Sequence, residues 1–368
     1  MIRYWVSEFD VDGIRLDAAD VLDFDFMRML RRTAEEVKPD FWLMGEVIHG
    51  DYSRWVNGET LHSVTNYALH KALYSGHNDH NYFEIAHTVK YLQNMGNLDL
   101  YNFVDNHDVE RIYTKLSNKA HFTPVHILLY TLPGVPSIYY GSEFGIEGRK
   151  ERSSDDSLRP ALSLDDYETA LGDNPCTALI AALGQIRQHT PALSYGSYAE
   201  LHLTNRQFAF ARDLNDVRVV VTVNNDDNAA SMDLPAGNAV EYIGALSGQK
   251  VAVQDGRINV TVPANSGEIW VPAGDMPEYK PFKVEISVKE ETVTDEESIP
   301  ADSEAPSSAT EPVHFDPNKS PEDMSVAELQ AAILAKMANN GPVSDQMKKT
   351  VNENIWHDSL VNWLKSFR

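Results

Sequence analysis

Phe41-Trp42-Leu43-Met44-Gly45-Glu46-Val47 is an apolar run broken only by Glu46 near its end. A strand that is apolar on both faces is buried on both, as in parallel sheets covered by helices. On its amino-terminal side, Phe26 to Val37 predicts a helix with Met27, Leu30 and Ala34 on one face, ended by Lys38-Pro39. Before that, Asp12-Gly13-Ile14-Arg15-Leu16-Asp17 predicts a short strand entered from a helix ending within Tyr4 to Val11, with Gly13 allowing close backbone approach. Further along, strands near Ser63 to Tyr67, at Leu100 to Val104 and at Pro136 to Tyr140 alternate with helix-like sequence. This alternation, from Met1 to about Gly196, indicates an α/β parallel sheet or barrel. Five strands are legible where a closed barrel needs eight.

The pattern changes after a helix expected over Thr177 to His189. Phe208 to Ala211, Val217 to Val223 and Ile258 to Val262 are β-rich, with Asn224-Asn225-Asp226-Asp227 and Asp255-Gly256 as turn signals. A small antiparallel domain over residues 197–274 follows from this. Residues 275–312 carry eleven acidic residues against three lysines and read as an acidic disordered linker. In the tail, residues 313–368, Ser325-Val326-Ala327-Glu328 is a capping box that opens a helix with Val326, Leu329, Ile333 and Met337 on one stripe, stopped by Asn340-Gly341-Pro342. A second helix from Ser344, with Met347, Val351 and Ile355, and an end bearing Trp356, Trp363, Leu364 and Phe367, complete a helical hairpin expected to dock on its own barrel or on a partner.

The 368 residues suffice for two or three domains, and the net charge of −24 argues against nucleic acid or anionic membrane as a partner. A single cysteine, Cys176, excludes an intramolecular disulfide and a cysteine-based metal site. No secretory-type sequence and no membrane-length apolar run is present. A cytoplasmic location is favoured, with any signal peptide lying upstream of Met1.

Three acids, Asp17, Glu46 and Asp108, stand at or just after the carboxyl ends of three strands, the last within Phe103-Val104-Asp105-Asn106-His107-Asp108. In a parallel barrel those ends converge on one face. Clustered carboxylates repel, and buried ones need cations or donors, which Arg15 and His107 supply. Arg15 points to the same side as Asp17 because strand side chains repeat every second residue. The set suits glycoside hydrolysis: Asp17, paired with Arg15, as nucleophile, and Glu46, leaving an apolar strand that favours the protonated form, as acid. Plainer readings exist singly: a strand-end ion pair for Arg15 and Asp17, a cap for Glu46, an Asx-turn for Asp108, a structural histidine for His107. They do not explain three acids at equivalent strand ends.

With Gly13-Ile14-Arg15-Leu16-Asp17-Ala18-Ala19, Gly45-Glu46-Val47 and Val104-Asp105-Asn106-His107-Asp108 in this order, the sequence resembles the alpha-amylase family of glycoside hydrolases, family thirteen, in its second, third and fourth signature regions. The resemblance extends across Ser63 to Tyr67, Gly134 to Glu143 and Leu158-Arg159-Pro160, and covers roughly Met1 to Gly274. Glu46-Val47-Ile48-His49 and the spacing to Asn66-Tyr67 are most similar to the neopullulanase and cyclomaltodextrinase branch. The fold it implies is α/β: the C-terminal part of a (β/α)8 TIM barrel, about the fourth to eighth strands, over residues 1–196, followed by the small antiparallel β domain and a short helical tail. The activity it implies is retaining hydrolysis of alpha-1,4 glucosidic bonds, with alpha-1,6 bonds as an extension, in an alpha-glucan or maltooligosaccharide substrate. By resemblance Asp17 matches the nucleophile, Glu46 the acid/base and Asp108 the carboxylate that stabilises the oxocarbenium-like transition state, with the two reacting carboxyls ~5 Å apart. Arg15 and His107 match residues that hold the nucleophile and the sugar hydroxyls; His49, Asp156 and Arg159 match sugar-binding positions. No cofactor is implied; calcium occurs in the family, and no site for it is identifiable in this sequence.

Departures accompany the match. Asp20-Val21 stands where many alpha-amylases carry Lys-His, and the first signature region, the first three strands and the protruding loop domain have no counterpart. The expectation is therefore a fragment of a longer product, inactive alone, that folds poorly or self-associates through exposed barrel edges or the helical tail. The alternatives are one half of a split enzyme, a transglycosylase of the same family, and a non-catalytic sugar-binding or scaffold module.

Overall fold

In the computed structural model, which describes residues 1–275, 319–320, 324–339 and 364, five short strands run parallel: β1 (Gly13–Leu16), β2 (Trp42–Gly45), β3 (Ser63–Val64), β4 (Tyr101–Phe103) and β5 (Val135–Ser137). Pairing follows chain order, β1 with β2, β2 with β3, and β4 with β5, while a bridge between Thr65 and Tyr101 carries the arc from β3 to β4. The fifth strand ends at Ser137 rather than at the expected Tyr140. Its partner β4 ends at Phe103, so nothing extends the ladder, and Tyr139 and Tyr140 turn aside to pack on Arg111.

Helices connect the strands: α1 (Ile2–Phe9), α2 (Phe24–Val37), α3 (Tyr67–Asn78), α4 (Tyr82–Gln93), α5 (Ile112–Lys115), α6 (Phe122–Thr131), α7 (Ala170–Asp173), α8 (Pro175–His189) and α9 (Pro191–Tyr195). α2 begins two residues before the expected Phe26 because Asp23 caps it, accepting from the Phe26 amide at 2.9 Å, and its Met27 and Ala34 are fully buried. α8 likewise begins earlier than Thr177: Asn174 accepts from the Cys176 and Thr177 amides, with Pro175 in the first turn. Phe41, Leu43, Val47 and Val64 are fully buried beneath α2 in one hydrophobic cluster. Gly13 allows β1 to lie against β2, since a Cβ there would come within 2.5 Å of the Trp42 carbonyl oxygen.

Antiparallel strands begin at Ser197: β6 (Ser197–Leu203), β7 (Gln207–Leu214), β8 (Val217–Asn224), β9 (Ala230–Pro235), β10 (Glu241–Gly244), β11 (Lys250–Ala252), β12 (Arg257–Val262) and β13 (Ser266–Pro272). Six form a sheet in the order β11-β10-β13-β8-β7-β6, and β9 pairs with β12 separately. Successive side chains of β8 face opposite ways. Val219, Val221 and Val223 join Phe208 and Phe210 against the helices, while Val220 joins Trp270 and Tyr242 against β9 and β12. Asp255 and Gly256 both adopt positive φ, 51° and 74°, as the expected tight turn requires.

The chain divides into units spanning Met1–Glu290 and Glu291–Arg368. In the second, α10 (Val326–Asn339) carries the expected capping box: the Ser325 amide donates to Glu328 Oε2 at 2.7 Å and the Glu328 amide to Ser325 Oγ at 3.3 Å. Leu329 and Ile333 are buried. The acidic linker beyond Asp275, the helix from Ser344 and the tryptophan-bearing end lie outside the described residues, apart from Leu364.

A group of histidines lies where the antiparallel turns meet α3 and α6. The His77 and His121 rings are 5.6 Å apart and those of His80 and His121 5.3 Å. Tyr82, Asn225 and Asn265 surround them, with Asp226, Asp227 and Arg206 on the outer side. Burial lowers His77 to about 3 and the fully buried His126 to about 4, and lowers His121 as well. Since the folded values lie below the ordinary 6.5, their stabilising effect is present above about 6.5 and is lost as the pH falls towards 4. Unfolding free energy from urea titration is expected to fall by about 1.4 kcal/mol per pH unit for each of His77 and His126 across that window, and His126→Gln is expected to remove one such contribution. A slope indifferent to His126→Gln would contradict this.

Candidate active site

The site grows out of the β1–β2 register. Leu16 faces Gly45, the Glu46 amide donates to the Leu16 carbonyl at 2.9 Å, and the Ala19 amide donates to the Glu46 carbonyl at 2.8 Å. Asp17 and Glu46 are therefore neighbours on adjacent strand ends, where strands lie ~4.8 Å apart. Arg15 links them: Nη1 donates to Asp17 Oδ1 at 2.6 Å and Nη2 lies 2.9 Å from Glu46 Oε2. Arg15 thus serves both carboxylates and not the nucleophile candidate alone. Their settings differ, because the Asp17 side chain is 81% exposed and that of Glu46 12%.

Glu46 is held from two further sides. Its Oε2 accepts a long hydrogen bond from the Ala18 amide at 3.4 Å, and its Oε1 accepts from the Tyr67 hydroxyl at 3.4 Å. Burial pushes the Tyr67 hydroxyl up to about 12, so it remains a donor at neutral pH. That hydroxyl accepts from Asn106 Nδ2 at 3.1 Å, and Asn106 Oδ1 accepts from the amides of Asp108 and Val109 at 2.8 and 3.1 Å. The Asx-turn belongs to Asn106, not Asp108, and the Asp108 carboxylate is left for the site. A hydrogen-bonded path runs from Glu46 through Tyr67 and Asn106 to the Asp108 backbone.

Around Asp108 the polar groups converge. His107 Nε2 is 3.1 Å from Oδ2 and Arg159 Nη2 3.2 Å from Oδ1, while Lys150 Nζ donates to the Asp108 carbonyl at 2.8 Å. Arg159 also donates to the His107 carbonyl at 3.3 Å and to Asp155 Oδ2 at 3.4 Å. Asp155, one residue before the expected Asp156, is the acid in this group; Asp156 is exposed. His49 stands exposed two residues beyond Val47, outside the network joining the carboxylates. A cavity of about 300 Å³ lined by Arg15, Tyr101, Asn106, His107, Tyr139 and Tyr140 opens beside these groups.

Behind the cavity lies a buried support. Arg111 donates to the carbonyls of Tyr140 and Leu158 at 2.5 and 2.8 Å and to Ser142 Oγ at 3.3 Å, and its guanidinium lies 4.1 Å from the centroid of the Tyr139 ring. Ser142 Oγ donates in turn to Asp105 at 2.7 Å, which also accepts from the Ile112 amide at 2.7 Å. Burial pushes the Asp105 carboxyl up to about 6 against these donors. Arg111 therefore fixes the carbonyl next to Arg159. No group of three or more His, Cys, Asp or Glu side chains is placed to hold a metal ion among the described residues.

Residues 1–178 match the family model for the alpha-amylase catalytic domain, and residues 196–270 the model for the alpha-amylase C-terminal domain. A cyclomaltodextrinase from Thermoanaerobacter pseudethanolicus is 30% identical over 230 residues, 61% of this chain and 39% of that protein. Neopullulanase 2 from Thermoactinomyces vulgaris is 27% identical over 278 residues, 73% of this chain and 46% of that protein. The chain spans less than half the length of these curated relatives. Among solved structures, an Anoxybacillus alpha-amylase superposes with a TM-score of 0.64 at 23% identity, covering 73% of this chain and 60% of that one. A cyclomaltodextrin glucanotransferase with a three-domain ABC distribution gives 0.65 at 23%, covering 73% and 58%. These superpositions are likenesses of fold, that of barrel amylases with a C-terminal β domain.

Proposed function

Since the chain belongs to the alpha-amylase family, we propose that it carries the reacting carboxylates of a retaining glycosidase that cleaves alpha-1,4 glucosidic bonds in maltodextrins and related cyclic glucans. The observation that carries this reading is the Arg15 guanidinium, at 2.6 and 2.9 Å from carboxylates on neighbouring parallel strand ends. Asp17 attacks the anomeric carbon and forms a glycosyl ester as Glu46 donates its proton to the departing oxygen. Glu46 then takes a proton from the molecule that cleaves the ester, which regenerates both groups. Asp108, with His107 and Arg159 beside it, is the carboxylate that stabilises the charge developing on the sugar ring in this reading.

In this reading the five-stranded arc does not complete the site by itself. Among the described residues β1 pairs only with β2 and β5 only with β4, so both outer edges are open, and Asp17 stands in solvent where Coulomb attraction is weak. The purified chain is expected to show negligible turnover of maltoheptaose and β-cyclodextrin. Activity is expected on co-expression with the part of the Thermoanaerobacter pseudethanolicus cyclomaltodextrinase that the chain does not match. Turnover by the purified chain that Glu46→Gln abolishes would retain the chemistry and reject the incomplete site; turnover that survives Glu46→Gln would reject the carboxylate assignment.

A further inference from the structure

β2 and β3 stop pairing just before Glu46. Their ladder ends with Gly45 facing Val64, and the Thr65 amide makes the last backbone hydrogen bond between them, to the Gly45 carbonyl at 3.1 Å. Val47 is fully buried, so its N–H and C=O need partners, and no backbone group supplies them among the described residues. The Thr65 side chain supplies both. Its Oγ1 accepts from the Val47 amide at 2.9 Å and donates to the Val47 carbonyl at 3.0 Å, and Thr65 is itself only 4% exposed. Both bonds lie out of water, where leaving a polar group unpaired costs most. Past Val47 the chain leaves the sheet, with Ile48, His49 and Gly50 all exposed.

Glu46 therefore sits between two sets of anchors. Its own amide and carbonyl are held from the β1 side by the Leu16 carbonyl and the Ala19 amide, and the next peptide is held from the β3 side by the Thr65 hydroxyl. Thr65 is fixed in turn, because the Asn66 amide donates to the Tyr101 carbonyl at 2.9 Å and the Asn66 side chain to Asn102 Oδ1 at 2.8 Å. One residue further, the Tyr67 hydroxyl reaches the Glu46 carboxylate. Residues 65–67 thus govern both the backbone and the head group of Glu46.

We propose that Thr65 is a positioning residue for the reaction: its hydroxyl fixes the Val47 peptide and so aims the Glu46 carboxyl at the leaving oxygen. A general acid acts only within hydrogen-bond reach of the atom it protonates, and a misplacement of about 1 Å can cost 10²-fold. Thr65 has this role only if Glu46 is the acid proposed above, so both are tested in the co-expressed, assembled enzyme. Thr65→Val and Thr65→Ser are compared on maltoheptaose and on α-maltosyl fluoride. The glycosidic oxygen leaves with a proton from Glu46, whereas fluoride leaves without one, and kcat/KM covers only the steps through ester formation. Thr65→Val is expected to lower kcat/KM about 10- to 100-fold on maltoheptaose and less than about threefold on the fluoride, with Thr65→Ser close to the unmodified enzyme on both. Equal losses on the two substrates, or no loss on maltoheptaose, would overturn the role of Thr65 and leave the proposed function standing. Glu46→Gln that turns over maltoheptaose like the unmodified enzyme would reject the acid, and the role of Thr65 with it. In the full chain alone, hydrogen–deuterium exchange at the Val47 amide is expected to quicken at least about tenfold in Thr65→Val and not in Thr65→Ser. Unchanged protection of Val47 in Thr65→Val would overturn the anchor whatever the assembled enzyme does.

Discussion

Glu46→Gln is expected to lower kcat on maltoheptaose by about 10³-fold in the co-expressed, assembled enzyme, the middle of the range for removal of a general acid. Glutamine keeps the size of the side chain and can still meet the Tyr67 hydroxyl and the Ala18 amide, so the strand ends need not move. It has no proton to deliver to the leaving oxygen and no charge to share Arg15, which is then free to pair with Asp17 alone. KM is therefore expected to change much less than kcat. Steady-state kinetics with an unchanged circular dichroism spectrum check this, and a loss below tenfold would contradict it.

Arg111→Met is expected to destabilise the first unit by about 3–5 kcal/mol, the range for removing one member of a buried charged network. Arg111 is fully buried, and its loss leaves the Tyr140 and Leu158 carbonyls without their donor. It also removes the cation nearest Asp105, whose carboxyl burial already pushes up to about 6. Gly148 packs against the Arg111 side chain with no room for a Cβ, so the space is shaped to this residue. Arg111→Lys is expected to recover only part of the loss, because an ammonium cannot serve carbonyls in two directions as a planar fork does. Urea midpoints of the three proteins measure the effect; a loss below 1 kcal/mol for Arg111→Met would show that the support is dispensable.

The parallel strands were legible because double-sided burial leaves a plain mark: Phe41 to Val47 is apolar on both faces, and β2 lies within it. The antiparallel strands were only partly so. β7 interleaves Phe and Ala, β8 is rich in valine and β12 alternates cleanly, whereas β6, with Glu200 and His202, and β9, with Asp233 and Pro235, mix polar residues at a sheet border or on a two-stranded ribbon. The three acids could be placed at strand ends from spacing alone, since strand ends share a face in a parallel barrel. The sharing of Arg15 could not be so placed, because it depends on Leu16 facing Gly45, a register set by packing between distant segments. Asp155 and Asp156 are indistinguishable in sequence; only the turn into the short helix at Asp156–Leu158 points the first toward Arg159. Arg111 gave no signal, for its partners are carbonyls contributed by residues 29 and 47 positions away.

The central claim, that Asp17 is the nucleophile and Glu46 the acid/base, is tested most directly by mass spectrometry of the assembled Glu46→Gln enzyme treated with α-maltosyl fluoride. Fluoride leaves without a proton, so Asp17 displaces it and a maltosyl ester forms, while hydrolysis of that ester lacks its base. The account predicts accumulation of one maltosyl group on the peptide carrying Asp17. A maltosyl group on Asp108, or fluoride release at the unmodified rate with no adduct, would contradict it.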